Sequence, residues 1–403
     1  DAQESRGLGD VYKRQHLDPT PSRACIFHML ESVELTGPTQ SVVFWAALIA
    51  PALFLLTRKK CCVTTASVLI IGVAVAAAWA LHAPPALAVG GGLLLLLFSA
   101  CRRPGHILFV AVALVGSIGI VNTQFQMVPT VGAITNRVDY VSYAQLSSVR
   151  PGHSVRTSLV LGRGRPAELY LPTAYFAGAR PPVLVLMHGN PGSPSMWMDE
   201  GQVPQLFDEF QATHSGMAPV VVSVDATGSF TGNPLCVGWA HDYISDELPQ
   251  AITQFFRVDE DRSHWVLGGL SYGGTCALQI ATTAPDSYGG YIDMSGQREP
   301  LAGTKIETVD KYFGGDAEAY RENNPRELLS DRQKYVGIPV RFTVGDADRD
   351  YRSGMEELYC LAKQAGMDAT LTILPGGHDF RVWRQGLISS LDFIAQIGGI
   401  DRA

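Results

Sequence analysis

The sequence predicts an α/β fold, a mostly parallel sheet with helices on both faces, preceded by four transmembrane helices. Three observations carry that expectation. Short apolar runs recur after residue 180, and each ends in a loop rich in Gly, Asp or His, as strands buried on both faces of a parallel sheet do. One of them, His264-Trp265-Val266-Leu267-Gly268, leads through Gly269-Leu270-Ser271-Tyr272-Gly273 into a helix-like run from Gly274 to Ala281. The chain is 46% hydrophobic with a mean hydropathy of +0.10, and the excess lies between residues 41 and 121.

Residues 1–28 are set aside. The stretch Arg6 to Gln15 reads as a translated sequencing adaptor, and Met29 is the expected start. Residues 29–122 are read as a four-helix transmembrane region, with spans at Ser41–Leu56, Val63–Leu81, Ala86–Ala100 and Ile107–Val121. A span takes about 20 apolar residues, so the last two draw on their flanks. A buried helical core would show polar faces at helical period, and none is present. Arg58, Lys59 and Lys60 separate spans one and two, Arg102 and Arg103 separate spans three and four, and the loop at 82–85 has neither Lys nor Arg. Basic loops stay in the cytoplasm, so the N-terminus and everything after span four are expected outside it. Residues 123–151 mix Val, Thr, Ser, Gly and Pro and read as a linker or docking segment, with a catalytic domain at 152–403.

Strand, Gly-x-Ser-x-Gly, helix is the setting of a nucleophile elbow. A serine on a sharp turn has its Oγ lifted clear of the backbone, and small neighbours let the helix pack back on the strand. Such a serine needs a base, and the base an orienting carboxylate. The run Pro339 to Val344 ends in Gly345-Asp346-Ala347-Asp348-Arg349-Asp350, and Ala369 to Leu374 ends in Pro375-Gly376-Gly377-His378-Asp379-Phe380. His378 is the only histidine after Ser271. Three aspartates crowd the first of these loops. Asp348 is taken as the acid, Asp346 sitting nearest the strand end and Asp350 furthest along. The Tyr272 N–H, next to the nucleophile, is expected to bind an oxyanion. The second donor is expected after Pro182 to Met187, in His188-Gly189-Asn190-Pro191; proline has no N–H, which leaves Asn190. His188 is read as a structural residue of that turn.

The HG turn, the Gly-Leu-Ser-Tyr-Gly-Gly elbow, Tyr312-Phe313-Gly314-Gly315-Asp316 with Asn324-Pro325, and Gly376-Gly377-His378-Asp379-Phe380 with Trp383 together resemble the esterase branch of the α/β-hydrolases. That branch includes S-formylglutathione hydrolases, feruloyl esterases and actinobacterial mycolyltransferases. The resemblance runs from about Gly152 to the end. It implies an α/β-hydrolase fold, Ser271 as nucleophile, His378 as base, Asp348 as acid, and Tyr272 and Asn190 as oxyanion donors. The whole chain resembles a membrane-anchored actinobacterial esterase. Relatives of that layout include hydrolases of aminoacyl-phosphatidylglycerol. An acyltransferase of the mycolyltransferase type would use the same triad, as would a peptidase. A binding module on a degenerate hydrolase fold is disfavoured by the intact set.

Of seven cysteines, Cys236 and Cys276 are expected to bridge, outside the cytoplasm where disulfides persist; free buried thiols are the alternative. No Cys/His spacing suits zinc, and no cofactor is implied. A net charge of −7 and a pI near 5.8, with no basic patch, argue against nucleic acid. Trp197, Asp225 and Trp383 are candidates to line the substrate pocket, against capping of the next turn for Asp225 and a place in the core for the two tryptophans. The expected substrate is an ester, with a lipid or envelope ester favoured by the bilayer beside the site.

Overall fold

The computed structural model describes residues 141–150, 152–331 and 334–402 without interruption. It also describes separate helical positions at Gln40, Val42, Val43 and 45–47 and at Val112, Val115, Gly116, Ile118, Gly119 and Asn122. Among the described residues no helix is long and apolar enough to cross a membrane. The tail at 1–28, spans two and three, most of spans one and four and the linker from 123 to 140 lie outside them. The chain forms two compact units, Asp1–Thr123 with Val128–Asn136, and Gln124–Met127 with Arg137–Ala403. In the first, the described apolar positions Val42, Val43, Val115 and Ile118 are exposed.

The second unit is built on one eight-stranded sheet. Its strands are β1 (Val155–Leu161), β2 (Arg165–Leu171), β3 (Val183–Met187), β4 (Val220–Val224), β5 (Val266–Leu270), β6 (Gly290–Met294), β7 (Pro339–Gly345) and β8 (Asp368–Leu374), in the spatial order 1-2-4-3-5-6-7-8. β1 and β2 form an antiparallel hairpin and β2 runs antiparallel to β4, while every pairing from β4 to β8 is parallel. The helices used below are α1 (Val203–Ala212), α2 (Leu248–Phe255), α3 (Tyr272–Thr283), α4 (Lys305–Phe313), α5 (Arg349–Gln364), α6 (Phe380–Ser389) and α7 (Leu391–Ile397).

The continuous apolar runs of the central strands follow from burial on both faces. Val183, Val185 and Met187 point into one core with Leu248 and Ile252 of α2, Ala277 and Ile280 of α3, and Leu358 of α5. Leu184 and Leu186 point into the other, with Phe207 and Phe210 of α1, Leu387 of α6 and Phe393 of α7. The alternation is the two-residue period of a strand, and a one-residue slip would exchange the two faces.

The elbow strand differs from the sequence expectation. Residues Arg262–His264 form a 3₁₀ turn and β5 starts at Val266. The Asp261 carboxylate accepts the Ser263 N–H (2.9 Å) and the Asp259 carbonyl accepts Trp265 Nε1 (2.7 Å), which bends the chain before the sheet begins. The compact unit also begins earlier than residue 152. The Val141 N–H donates to Arg156 O at 2.9 Å, Tyr143–Ser148 forms a 3₁₀ turn with Leu146 buried, and Tyr143 packs edge-on against Phe255 and Phe256. The end of the expected linker is therefore part of the fold.

Cys236 and Cys276 are joined by a disulfide across a sequence separation of 40, with Cα atoms 5.3 Å apart. It ties the loop after β4 to α3. The same loop is held by Tyr312 of α4, whose hydroxyl donates to Asn233 O at 2.7 Å. Closing a loop of that length contributes about 3–4 kcal/mol. The Cys236→Ser/Cys276→Ser variant is accordingly expected to melt about ten degrees lower by calorimetry; an unchanged midpoint would contradict it.

Candidate active site

The parallel strands all end on one edge of the sheet, where an open α/β fold places its loops for chemistry. Ser271 lies between β5 and α3 with φ 52° and ψ −114°, a region that residues other than glycine seldom occupy. Two absent side chains make the turn possible. A Cβ at Gly269 would run into the Gly273 backbone, and one at Gly273 into Met187 O. The Ser271 N–H donates to Met294 O at 2.8 Å, and its carbonyl accepts the Thr275 N–H at 3.0 Å. The nucleophile candidate is thus fixed to both β6 and its own helix.

His378 follows β8 and precedes α6. Its Nε2 is 3.0 Å from Ser271 Oγ and its Nδ1 is 2.9 Å from Asp348 Oδ2. Asp379 beside it caps α6 by accepting the Arg381 N–H at 3.0 Å, so the helix start sets the histidine's position. The three aspartates after β7 divide the work. Asp348 is 4% exposed and faces the imidazole. Asp346 Oδ1 accepts the Gly376 N–H at 2.9 Å, locking the β7 and β8 loops together. Asp350 lies in the first turn of α5. Hydroxyl, imidazole and carboxylate form one hydrogen-bonded line, the arrangement that moves a proton from a serine to a histidine.

Tyr272 begins α3, and Gly189 packs against the Ser271 Cβ. The Asn190–Pro191 peptide is cis. Tyr272 follows the serine directly, and Asn190 follows Gly189, where an added Cβ would lie 3.3 Å from Ser271 Cβ. His188 is 1% exposed, with Nδ1 2.7 Å from Gly189 O and Nε2 3.6 Å from Asp225. It belongs to the turn.

The pocket candidates separate. Trp197 is fully buried, donates Nε1 to Met187 O at 3.0 Å and packs edge-on against Phe380. It is a core residue, because the indole N–H finds its partner inside. Asp225 is 6% exposed and its Oδ1 accepts the Thr227 and Gly228 N–H groups, each at 2.9 Å. Burial opposes its charge, but the nearby His188 imidazole and the hydrogen bonds from Thr227 and Gly228 outweigh that and hold its carboxyl well below the usual range. Its first role is to cap the turn. Trp383 does touch the site, edge-on to His378 with ring centroids 4.9 Å apart.

Two further groups escaped the sequence reading. Tyr351, in the first turn of α5, stacks on His378 with centroids 4.1 Å apart and planes 21° from parallel. Burial pushes its phenol up. Only its spacing from Asp348 on one helix hinted at it. Asp293, at the end of β6, is 1% exposed. Its Oδ1 accepts the Gly296 N–H at 2.9 Å and its Oδ2 has no hydrogen-bond partner among the described residues. Gly274 of α3 approaches it so closely that a Cβ there would collide.

Burial pushes the Asp293 carboxyl up to about 7, against roughly 3.9 in an unfolded chain. The folded state therefore binds the extra proton between those values, and its stability falls as pH rises through that window. Asp293→Asn is expected to remove this slope. Its melting advantage over wild type should grow from pH 5 to pH 8, and a constant difference would refute the assignment.

Comparison with known proteins places the chain. The family model described as "Putative esterase" matches residues 158–394. An uncharacterized protein of Corynebacterium glutamicum is 41% identical over 319 residues, 72% of this chain and 75% of that protein. The iron(III) salmochelin esterase of Escherichia coli is 27% identical over 140 residues, 33% of this chain and 31% of its own length. Among solved structures, a ferulic acid esterase gives a TM-score of 0.51 at 22% identity, covering 61% of this chain and 98% of that one. The S-formylglutathione hydrolase of Agrobacterium tumefaciens gives 0.51 at 20% identity, covering 62% and 97%. These two share the α/β-hydrolase fold. With a match extending over more than half its length, the chain belongs to this esterase family and is a serine hydrolase of carboxylic esters.

Proposed function

We propose that this protein is a membrane-anchored esterase acting outside the cytoplasm, with Ser271 as nucleophile, on a lipid or cell-envelope ester. The observation that carries the catalytic part is the Ser271–His378–Asp348 line, at 3.0 and 2.9 Å. His378 Nε2 takes the Ser271 proton as Oγ attacks the ester carbonyl. Asp348 holds Nδ1–H and balances the imidazolium that forms. The tetrahedral oxyanion sits against the Tyr272 and Asn190 N–H groups. Collapse breaks the bond to the alcohol, which leaves with the proton from His378. Water, deprotonated by the same imidazole, then frees the acid and restores Ser271. Two supports favour the location: the apolar runs with their basic loops, and the Cys236–Cys276 bridge, a bond kept in oxidising compartments. The bilayer would hold the site beside lipids and envelope polymers, which favours such esters over soluble metabolites.

Ser271→Ala is expected to abolish p-nitrophenyl ester turnover and labelling by a fluorophosphonate, and Asp348→Asn to lower kcat by about 10⁴. A membrane-impermeant fluorophosphonate should label the wild-type protein in the membrane fraction of intact cells. Full labelling of the alanine variant would sink the nucleophile assignment, and label appearing only after lysis would sink the location.

Tyr351 is expected to act by keeping the imidazole in place. Tyr351→Leu should lower kcat by roughly tenfold with little change in KM, and Tyr351→Phe should recover most of the loss, since stacked rings contribute about 0.5–1.5 kcal/mol. Equal losses in both variants would show that the ring itself does nothing.

A further inference from the structure

At the same sheet edge, between the β1–β2 hairpin and the loops after β3 and β4, lies an open groove of about 670 Å³ that reaches Gly192, three residues past the Gly189 that lies close to Ser271, within the usual range for small-molecule sites. Val160 of β1, Pro166 and Ala167 of β2, Gly192 and Ser193 after the HG turn, and Phe230 line it. The β2 wall belongs to the catalytic edge, because the Asp225 N–H at the end of β4 donates to Pro166 O at 3.2 Å.

Phe230 and Val160 are 62% and 59% exposed. One exposed apolar side chain is ordinary, but two on a single concavity offer a strip for an apolar ligand, with Arg165, Glu168 and Asp225 as the charged groups of the same lining. The loop bearing Phe230 is also held so that its ring stays outside. Asp225 fixes its start through Thr227 and Gly228, and the Gly232 N–H donates to Ser229 O at 3.0 Å. Further on, the disulfide and the Tyr272 hydroxyl, which accepts the Cys236 N–H at 3.2 Å and donates to Ala226 O at 3.1 Å, anchor it to the elbow helix. Phe230 O itself accepts the Gly192 N–H at 2.8 Å, two residues past Asn190. The backbone of the ring's own residue is thus docked on the loop that flanks the serine.

We propose that this groove binds the hydrocarbon part of the ester, with Phe230 as its lip and Val160 as its far wall, and so makes the enzyme selective for esters with an extended apolar chain. The proposal rests on Ser271 being the nucleophile. Rim groups such as Ser193 and Arg165 stay in reach of water, while the chain covers the two exposed side chains.

The full-length protein is assayed on two matched pairs, p-nitrophenyl acetate against octanoate and methyl against octyl butyrate. The wild type is expected to favour the longer member of one pair in kcat/KM. Phe230→Ser and Val160→Asp should each reduce that preference about tenfold, the effect of no longer covering one apolar side chain. Ile306→Ser, at a 75% exposed position on α4 away from the groove, should leave it unchanged. A wild-type enzyme that is labelled at Ser271 but shows no chain-length preference in either pair overturns the groove and leaves the nucleophile standing. So does a preference that neither groove variant alters. Absence of labelling at Ser271 overturns both readings.

Discussion

The site depends on a close approach of backbone to backbone at the elbow. β5 must turn into α3 within one residue, and α3 must then lie against β3 and β5 with no side chain between. Gly269 and Gly273 supply that emptiness, and Ser271 takes the strained angles that result. Strain of this kind, of order 1–3 kcal/mol, persists only where the surroundings over-determine it. Here they do so through the Met294 carbonyl on the Ser271 amide and the Thr275 amide on its carbonyl. Because the serine is set by packing rather than by a mobile loop, the other partners need only be delivered to a fixed point.

Delivery is achieved by tying loops to one another. Asp346 joins the β7 loop to the β8 loop, Asp379 caps the helix after His378, and Tyr351 covers the imidazole from the helix that Asp348 begins. On the opposite side, His188 and Asp225 are turned inward to hold the turns after β3 and β4. Tyr272 has two jobs. Its amide is the proposed oxyanion donor, while its hydroxyl and the neighbouring disulfide hold the loop after β4. Charged groups near the nucleophile are therefore mostly structural. The Asp348 carboxylate differs from Asp346 in that its oxygen meets a side chain rather than a backbone amide, while Asp225 meets both.

Much of this was legible in the residues. The apolar runs at 183–187, 220–224, 339–344 and 369–374 mark four parallel strands, since burial on both faces leaves no room for polar alternation. β6 went unseen because Asp293 interrupts its apolar pattern. β1 and β2 went unseen because strands nearer the sheet edge mix Arg, Ser, Thr and Glu with their apolar residues. Trp197 shows how two readings of one residue are separated only by its contacts. An aromatic residue just after a catalytic turn suits a pocket wall, but its N–H is satisfied by a carbonyl in the core and its ring lies there too.

By itself the sequence determined the order of chemical groups: a serine between a strand and a helix, then a carboxylate loop, then a histidine, each after a strand. It could do so because local spacing encodes strand ends and turns. It also determined that residues 41–121 carry an excess of apolar side chains. The tertiary structure decided which of three adjacent aspartates meets the imidazole, which aromatic rings surround it, and that Asp225 serves a turn. Those choices hinge on side-chain direction across elements up to a hundred residues apart, and no periodicity along the chain records a direction in space.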